Sequence, residues 1–329
     1  MDAISRISQL VEETSRTFAL GIRQLPRPLR LSVSIAYLLL RVSDYFEDNE
    51  AMEPAAKIRY LNAWADALEE VTHFGGKADD PHGARDGFTG PSDFDDSTSD
   101  AQAARESAFI LSRFRMLEPS HLEVVGKHVI DSTRGMARWV STGPLFETEA
   151  DLDDYMFEVA GRVGLLLTDL FAQWSGSIRL RHAEMSKLGV EFGLGLQTVN
   201  VIRGLASDPA RGWIFLPKEF LPSGTDPVDL WRDPTSPPAL HLLDRLVTKA
   251  RRHLEAARDY TLGIPRREHG IRVFCILPLL FAVSTVEMSR SNPAVFTSEV
   301  KLTRDQVRSI ARRTRFLASS NTWLTAAVG

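Results

Sequence analysis

The stretch AYLLLRVSDYFED, from Ala36 to Asp48, decides the fold because it is apolar on most sides of a helix. At helical spacing, one face of this helix collects four polar residues: Tyr37, Arg41, Asp44 and Asp48. A helix that is otherwise apolar all round belongs in a protein core. A carboxylate is costly there unless it is paired, hydrogen-bonded or bound to a metal. The stretch therefore predicts a buried helix whose acidic residues are paired, hydrogen-bonded or bound to a metal.

Two interpretations of these carboxylates are open. Acidic oxygens one turn apart suit a hard cation such as Mg²⁺, which keeps several waters and takes further ligands from a phosphate. Asp44, Glu47 and Asp48 would then be metal ligands. Alternatively, this is a solvated acidic helix end at which Arg41 pairs with Asp44 or Glu47. The stretch alone favours neither.

Composition narrows the class of protein. The chain of 329 residues is long enough for one large domain or two. Its net charge of −4 provides no basic field, which argues against nucleic acid as a partner. The single cysteine, Cys275, excludes an internal disulfide and a cysteine-based metal cluster, and it fits a reducing compartment.

No signal-peptide pattern opens the chain. The longest apolar run, residues 273–286, contains Pro278 and is too short to span a bilayer. We therefore expect a cytoplasmic protein that is at most peripheral on a membrane.

Almost every segment has a helical period, and no segment alternates convincingly at the period of two that is typical of strands. Residues 75–100 are rich in Gly, Asp, Ser and Pro and lack an apolar period, which predicts a flexible loop inserted into the domain. The pattern predicts an all-α protein with one domain over residues 1–329. The predicted helices cover 3–14, 29–48, 55–72, 101–116, 119–141, 149–174, 179–207, 236–262, 268–290 and 303–317.

A second informative stretch is FGLGLQTVNVIRGLASDPARGWIFLP, residues 192–217. Its polar positions share one face of an otherwise apolar helix, with Arg203 beside them: Gln197, Asn200, Gly204 and Asp208. One interpretation is a core helix with a few satisfied amides. The other is that this helix and the first one face each other across a cavity and hold metal ions between them.

A third stretch, residues 155–171, places Ala160, Gly161 and Gly164 inside a helix, where glycine costs about 1 kcal/mol relative to alanine. Small residues there indicate either close helix packing or a kinked helix that makes room for a substrate. Both interpretations remain open.

Taken in order, these motifs resemble the squalene/phytoene synthase family, whose members join two prenyl diphosphates head to head. Each motif is weak alone, whereas the ordered set is highly specific and covers most of the chain. The matching segments are SRTF at 15–18, DYFED at 44–48, YMFEVAGRVG at 155–164, GLQTVNVIR at 195–203 (in its spacing of Leu, Gln, Asn and Arg), Arg211-Gly212 with Leu216-Pro217, and Phe274-Cys275 with Pro278.

The resemblance implies an all-α isoprenoid-synthase bundle around a central apolar cavity. Two acidic motifs would hold Mg²⁺ ions that bind the diphosphate of farnesyl or geranylgeranyl diphosphate and help it to leave. It implies as metal ligands Asp44, Glu47, Asp48, Asn200 and Asp208, and as further catalytic groups Tyr155 and Arg203. The substrate-binding residues that it implies are Arg16, Phe18, Tyr37, Arg41, Ala160, Gln197, Asn200, Arg211 and Phe274.

The sequence departs from the family at Gly204, which stands where the second motif has its first aspartate. The chain is therefore expected to couple two prenyl diphosphates with weaker metal binding, to ionise or cyclise one prenyl diphosphate, or to act without catalysis in binding or assembly. NADPH is an optional cofactor, because Val300-Lys301, with Arg304 nearby, only partly resembles the family's reductant-binding segment. Because the implied substrates and products are hydrophobic, we also expect transient contact with a membrane surface.

Overall fold

The computed structural model describes residues 3–74, 88, 90–91, 99–143, 146–207 and 214–329. The prediction of an all-α fold is confirmed. The helices of the described residues are α1 (Ala3–Thr14), α2 (Arg16–Ile22), α3 (Arg27–Asp48), α4 (Pro54–Phe74), α5 (Ser99–Arg105), α6 (Ser107–Phe114), α7 (Pro119–Thr142), α8 (Glu149–Met156), α9 (Arg162–Trp174), α10 (Gly176–Leu180), α11 (His182–Gly204), α12 (Asp229–Arg232), α13 (Pro237–Gly263), α14 (His269–Ser289), α15 (Arg304–Leu317) and α16 (Asn321–Val328).

The helix boundaries follow local chemistry. α3 begins at Arg27, earlier than predicted, because Pro28 lies in its first turn, where a missing N–H costs nothing. The predicted helix 149–174 contains a π-helical turn over Phe157–Gly161, which separates α8 from α9. The predicted helix 179–207 is divided at Arg181, so that α10 and α11 are separate. α16, a short helix capped by Ser320, was not predicted.

The packing gives the bundle two distinct ends. α3 and α7 run in the same direction, since Ser32 bonds His121 and Ser43 bonds Thr133, both at 2.7 Å. α9 runs against α7, and Gln173 donates to the Ser120 carbonyl at 3.2 Å. We call the end where α3 and α11 finish the mouth end. The far end is where α3, α7, α11 and α14 begin and α9 and α13 finish.

Glycines let α11 approach α9 closely. A Cβ on Gly164 would overlap the carbonyl oxygen of Gly189, and a Cβ on Gly193 would overlap that of Ala160. Because these obstacles are backbone atoms, they cannot move aside as a side chain could. Close helix packing is therefore the observed use of these small residues.

The predicted loop 75–100 lies mostly outside the described residues. Phe88, within it, is buried edge-on against Phe46 and Trp64, with ring centroids 5.6 and 5.0 Å away. Asp100 belongs to the first turn of α5. α14 is long and apolar enough to cross a membrane by length and composition, but 67% of its most apolar window is buried inside the bundle.

Candidate active site

A cavity of about 600 Å³ opens between α2, α3, α11 and α14. Its polar wall combines Tyr37 and Arg41 from α3 with Asn200 and Arg203 from α11. A second, apolar cavity of about 220 Å³ adjoins it. The two cavities share the lining residues Phe18, Leu196, Asn200, Phe274 and Pro278. A charged cavity and an apolar cavity therefore lie side by side.

The apolar part is lined by the helix that carries the π turn. Val159, Ala160, Val163 and Leu167 face it, and Tyr260 faces it from α13. The Tyr260 hydroxyl lies 3.0 Å from the Thr168 hydroxyl, so its polar atom is satisfied away from the apolar space. The irregular helix that the sequence suggested thus also shapes a cavity, beside its role in close packing.

The first acidic motif, residues 44–48, lies beside the polar wall of the cavity. Arg41 donates to Asp44 at 2.8 Å and, through its Nε, to Asp100 at 2.6 Å. Burial raises the pKa of Asp44 to about 7; attraction to Arg41 opposes the increase, and repulsion from Asp48 adds to it. The predicted Arg41–Asp44 pair is therefore observed, yet it does not neutralise the motif.

Glu47 is the most deeply buried carboxylate of the motif, with 5% of the residue exposed. Burial, and then repulsion from Asp48 and Asp44, raises its pKa well above the usual value, while Lys57 and the Tyr155 side chain lower it. Its Oε1 atom has no hydrogen-bond partner among the described residues. Lys57 donates to the Glu47 main-chain carbonyl, at 2.7 Å.

These groups fit a divalent cation, although no preformed cage holds one. In the part of the chain that the structure describes, no three His, Cys, Asp or Glu side chains are arranged to hold a metal. However, a buried oxygen without a partner and carboxylates with raised pKa values mark uncompensated negative charge. Mg²⁺ needs only one or two carboxylates when waters and a phosphate complete its shell. Asp48 is exposed at the end of the same helix.

The second motif runs from Asn200 to Asp208, and the structure describes fewer of its polar groups. The Asn200 amide donates to Gln197 at 3.1 Å, and Arg203 forms an ion pair with Glu299. Gly204 is the last residue of α11. Asp208 and Arg211 lie outside the described residues, so whether Asp208 and Asp44 share a metal stays a prediction.

Asp44, Glu47 and Asp48 lie beside the cavity without lining it, and two further predicted site residues lie away from its wall. Arg16 is exposed in a separate groove, where Arg304 and Arg308 of α15 also lie, although the adjacent Thr17 lines both spaces. Tyr155 is buried in an aromatic cluster, with its ring centroid 5.2 Å from that of Phe215. It is connected to the site through Glu47 rather than through the cavity.

The sequence interpretation missed several charged residues around the site. Asp100 lies at the end of a polar stretch that has no hydrophobic periodicity. Nothing in the sequence pattern therefore identified it as the second partner of Arg41. Glu158 is buried, and its carboxylate pairs with Arg162 and, at 3.4 Å, with Arg138. Glu299 was also missed, although it precedes the Val300-Lys301 segment, and it pairs with Lys301 at 2.6 Å.

Comparison with known proteins gives a consistent result. The family model described as squalene/phytoene synthase matches residues 11–306. The squalene synthase of Eremothecium gossypii is 28% identical over 305 residues, which are 91% of this chain and 65% of that protein. The squalene synthase of Solanum lycopersicum is 29% identical over 322 residues, which are 94% of this chain and 70% of that protein. This chain thus spans slightly less than two thirds of the length of the Eremothecium protein.

Solved structures agree in fold. TcSQS with a bound ligand superimposes with a TM-score of 0.81 at 24% identity, covering 99% of this chain and 91% of that chain. The squalene synthase HpnC from Alicyclobacillus acidocaldarius gives a TM-score of 0.60 at 17% identity, covering 87% of this chain and 94% of that chain.

Proposed function

The chain belongs to the squalene/phytoene synthase family, and on that premise we propose that it is a Mg²⁺-dependent prenyltransferase that condenses two farnesyl diphosphates head to head. The observation that carries the proposal is a cavity with charged groups on its wall that adjoins an apolar cavity. Such a space suits a ligand with a diphosphate head and a hydrocarbon tail. Geranylgeranyl diphosphate is the longer alternative of the same class.

The arginines would bind the diphosphate. Arg41 and Arg203 reach the polar wall from opposite helices, and each guanidinium offers forked donors to phosphate oxygens. Both are held by carboxylates, Asp44 and Glu299, which fix their positions before substrate arrives. Fixed donors need little reorganisation when charge develops on the leaving group.

Asp44, Glu47, Asp48 and Asn200, with Asp208, would hold the metal. When bound, Mg²⁺ neutralises the developing charge on the departing diphosphate. Tyr155 would orient Glu47 through its hydroxyl, which makes it a positioning residue rather than a cavity residue. The walls around Phe18, Ala160 and Phe274 would keep water from the carbocation that remains.

Gly204 favours a second candidate, in which only one prenyl diphosphate is ionised and its cation is captured or cyclised. A missing carboxylate in the second motif would weaken one metal position and limit the enzyme to one diphosphate. In the head-to-head condensation, a reductive step with NADPH would convert presqualene diphosphate to squalene. Lys301 would take part in that step, and it pairs with Glu299, the partner of Arg203.

The test is product analysis with farnesyl diphosphate and Mg²⁺. We expect presqualene diphosphate, and squalene when NADPH is added, by mass spectrometry. A C15 alcohol or cyclic hydrocarbon would instead support the single-substrate candidate. No release of diphosphate from either farnesyl or geranylgeranyl diphosphate would refute both.

Variants then test the site itself. Asp44→Ala and Asp208→Ala should each lower diphosphate release about a hundredfold or more, as removal of a charge-stabilising group does in other enzymes. Asp66→Ala is the control, because its side chain is 72% exposed and lies on α4, outside the two motifs. Wild-type rates in either motif variant would remove that residue from the site.

A further inference from the structure

Exposed apolar side chains gather at the far end of the bundle. Most of the core is well buried, yet Leu180 is 90% exposed, Phe316 76%, Met116 69% and Trp174 44%. Each belongs to a segment that terminates at the far end: Met116 just before α7, Trp174 at the end of α9, Leu180 at the end of α10 and Phe316 at the end of α15. These four residues form what we call the far-end surface.

Hydrogen bonds tie these segments to one another. The Trp174 indole donates to Glu268 at 2.9 Å, and Arg267 beside it donates to Ser177 of α10 at 2.8 Å. The end of α15 joins through Arg272 of α14, whose side chain donates to the Ala318 carbonyl at 2.5 Å. Gln173, next to Trp174, donates to the Ser120 carbonyl at the start of α7, at 3.2 Å. The segments that carry the exposed apolar groups therefore meet at one end of the molecule.

The same end carries unpaired positive charge, although the whole chain has a net charge of −4. Several exposed arginines there form no ion pair with a described residue: Arg27, Arg179, Arg266, Arg312, Arg313 and Arg315. Among the acidic residues of this end, Glu184 and Glu268 are already paired with Arg181 and Arg267. Glu118 and Glu123, at and near the start of α7, add two exposed negative charges.

The apolar part of the cavity points towards this end. Along α11 its lining passes from Asn200 at the mouth side to Gly189, seven residues from the start of the helix, and along α9 it reaches Leu167, seven residues from Trp174. At 1.5 Å per residue, about 10 Å of helix separates the apolar cavity from the far-end surface. The charged wall lies at the opposite end.

We propose that the far-end surface docks on an anionic lipid bilayer. Trp174, Leu180, Met116 and Phe316 would enter the headgroup region, while the surrounding arginines attract the negative surface. Docked in this way, the protein would hold the apolar part of its cavity next to the bilayer and its charged mouth towards water. The inference concerns a surface away from the reaction and stands whether or not the proposed function does.

The mixture of groups favours a lipid surface over other partners. A nucleic acid would be held by the arginines but would leave Leu180 and Met116 exposed, because neither aliphatic side chain is a stacking platform for bases. An apolar protein groove would have to accommodate at least six unpaired arginines. Only an interface that is negative outside and apolar just beneath matches both.

The experiment is flotation of the full chain with lipid vesicles. We expect binding to vesicles of phosphatidylcholine with phosphatidylglycerol, weak binding to phosphatidylcholine alone, and release as salt is raised. The double variant R312Q/R313Q should lower the partition coefficient about fivefold for each charge removed. Phe316→Ser and Leu180→Ser should each lower it about tenfold or less, because each side chain is partly inserted.

Matched controls lie at the mouth end, where the Trp231 indole donates to the Leu205 carbonyl just after α11 at 2.6 Å. Val228→Ser and Arg232→Gln remove an apolar group, 47% exposed, and a charge, 73% exposed, from that end and should leave binding unchanged. Since all substituted side chains are exposed, circular dichroism should show intact folds. Absence of vesicle binding, or equal binding by the far-end variants and the controls, would overturn the proposal. Retention on single-stranded RNA in place of vesicles would overturn it too.

Discussion

Glu47 sits in an environment that does not favour its own charge. Its carboxylate is buried beside Asp44 and Asp48, one of its oxygens lacks a hydrogen-bond partner among the described residues, and Lys57 donates to its main-chain carbonyl. Burying a charge without full compensation costs stability. Such a cost is typical of groups that act on a ligand rather than on the fold.

We predict that Glu47→Gln changes stability and activity in opposite directions. Neutralising the carboxylate removes like-charge repulsion and should raise the free energy of unfolding by about 1 kcal/mol in the absence of metal. Diphosphate release should fall at least tenfold and require more Mg²⁺ for half-maximal rate. Thermal unfolding and Mg²⁺ titration measure the two effects.

Glu53→Gln is the matched control, because Glu53 is exposed just beyond the same helix end. It should change neither quantity. A Glu47→Gln protein that is less stable and still fully active would show that this carboxylate serves the fold.

At the scale of elements, close contact between α9 and α11 fixes the width of the cavity. Gly164 lines the apolar cavity and touches the backbone of Gly189 across the helix interface. No rotamer change can relieve an added Cβ there, because the opposing atoms are main-chain atoms. The two helices would have to separate.

Gly164→Ala should therefore lower the free energy of unfolding by about 1–3 kcal/mol, despite the better helix propensity of alanine. Chemical denaturation measures the loss. Gly176→Ala is the control, since a Cβ there meets only the end of the Arg179 side chain, at 3.7 Å. Equal stability of the two variants would mean that the helices adjust freely.

Helix existence was predictable from the apolar period, and the long helices α3, α7, α13 and α14 lie within a few residues of the prediction. The break at Arg181 and the π turn at Phe157–Gly161 were not, because both occur within an unbroken apolar period and depend on tertiary packing. For the site, Arg41 and Asp44 followed from helical spacing. Asp100 and Glu299 could not follow, since their partners are distant in sequence and only the fold brings them together.

At the scale of the whole molecule, one buried arginine joins the last helices to the bundle. Arg272 is fully buried and donates to carbonyls at the ends of two helices, to Thr261 at 3.0 Å, Ile264 at 2.7 Å and Ala318 at 2.5 Å, and to the Asn321 side chain at 2.9 Å. Neutral carbonyls solvate its charge in place of a carboxylate. Helices α13, α15 and α16 are thereby held around the start of α14.

Arg272→Met should lower the free energy of unfolding by about 3 kcal/mol or more, because it leaves several buried carbonyls without donors. Calorimetry and limited proteolysis at the end of the chain measure this effect. Arg251→Met, at a side chain that is 44% exposed, should be nearly neutral. An unchanged unfolding temperature for Arg272→Met would show that water replaces the guanidinium without cost.

The length of the apolar cavity along α11 has a consequence for the proposed substrate. From Asn200 to Gly189, α11 runs beside the cavity for about 16 Å. Tyr260 lines the same cavity from α13, and its hydroxyl is bonded to that of Thr168. A prenyl tail bound as we propose would lie along this stretch of α11. Under the proposed function, the backbone spacing along α11 would therefore set which prenyl chain length fits.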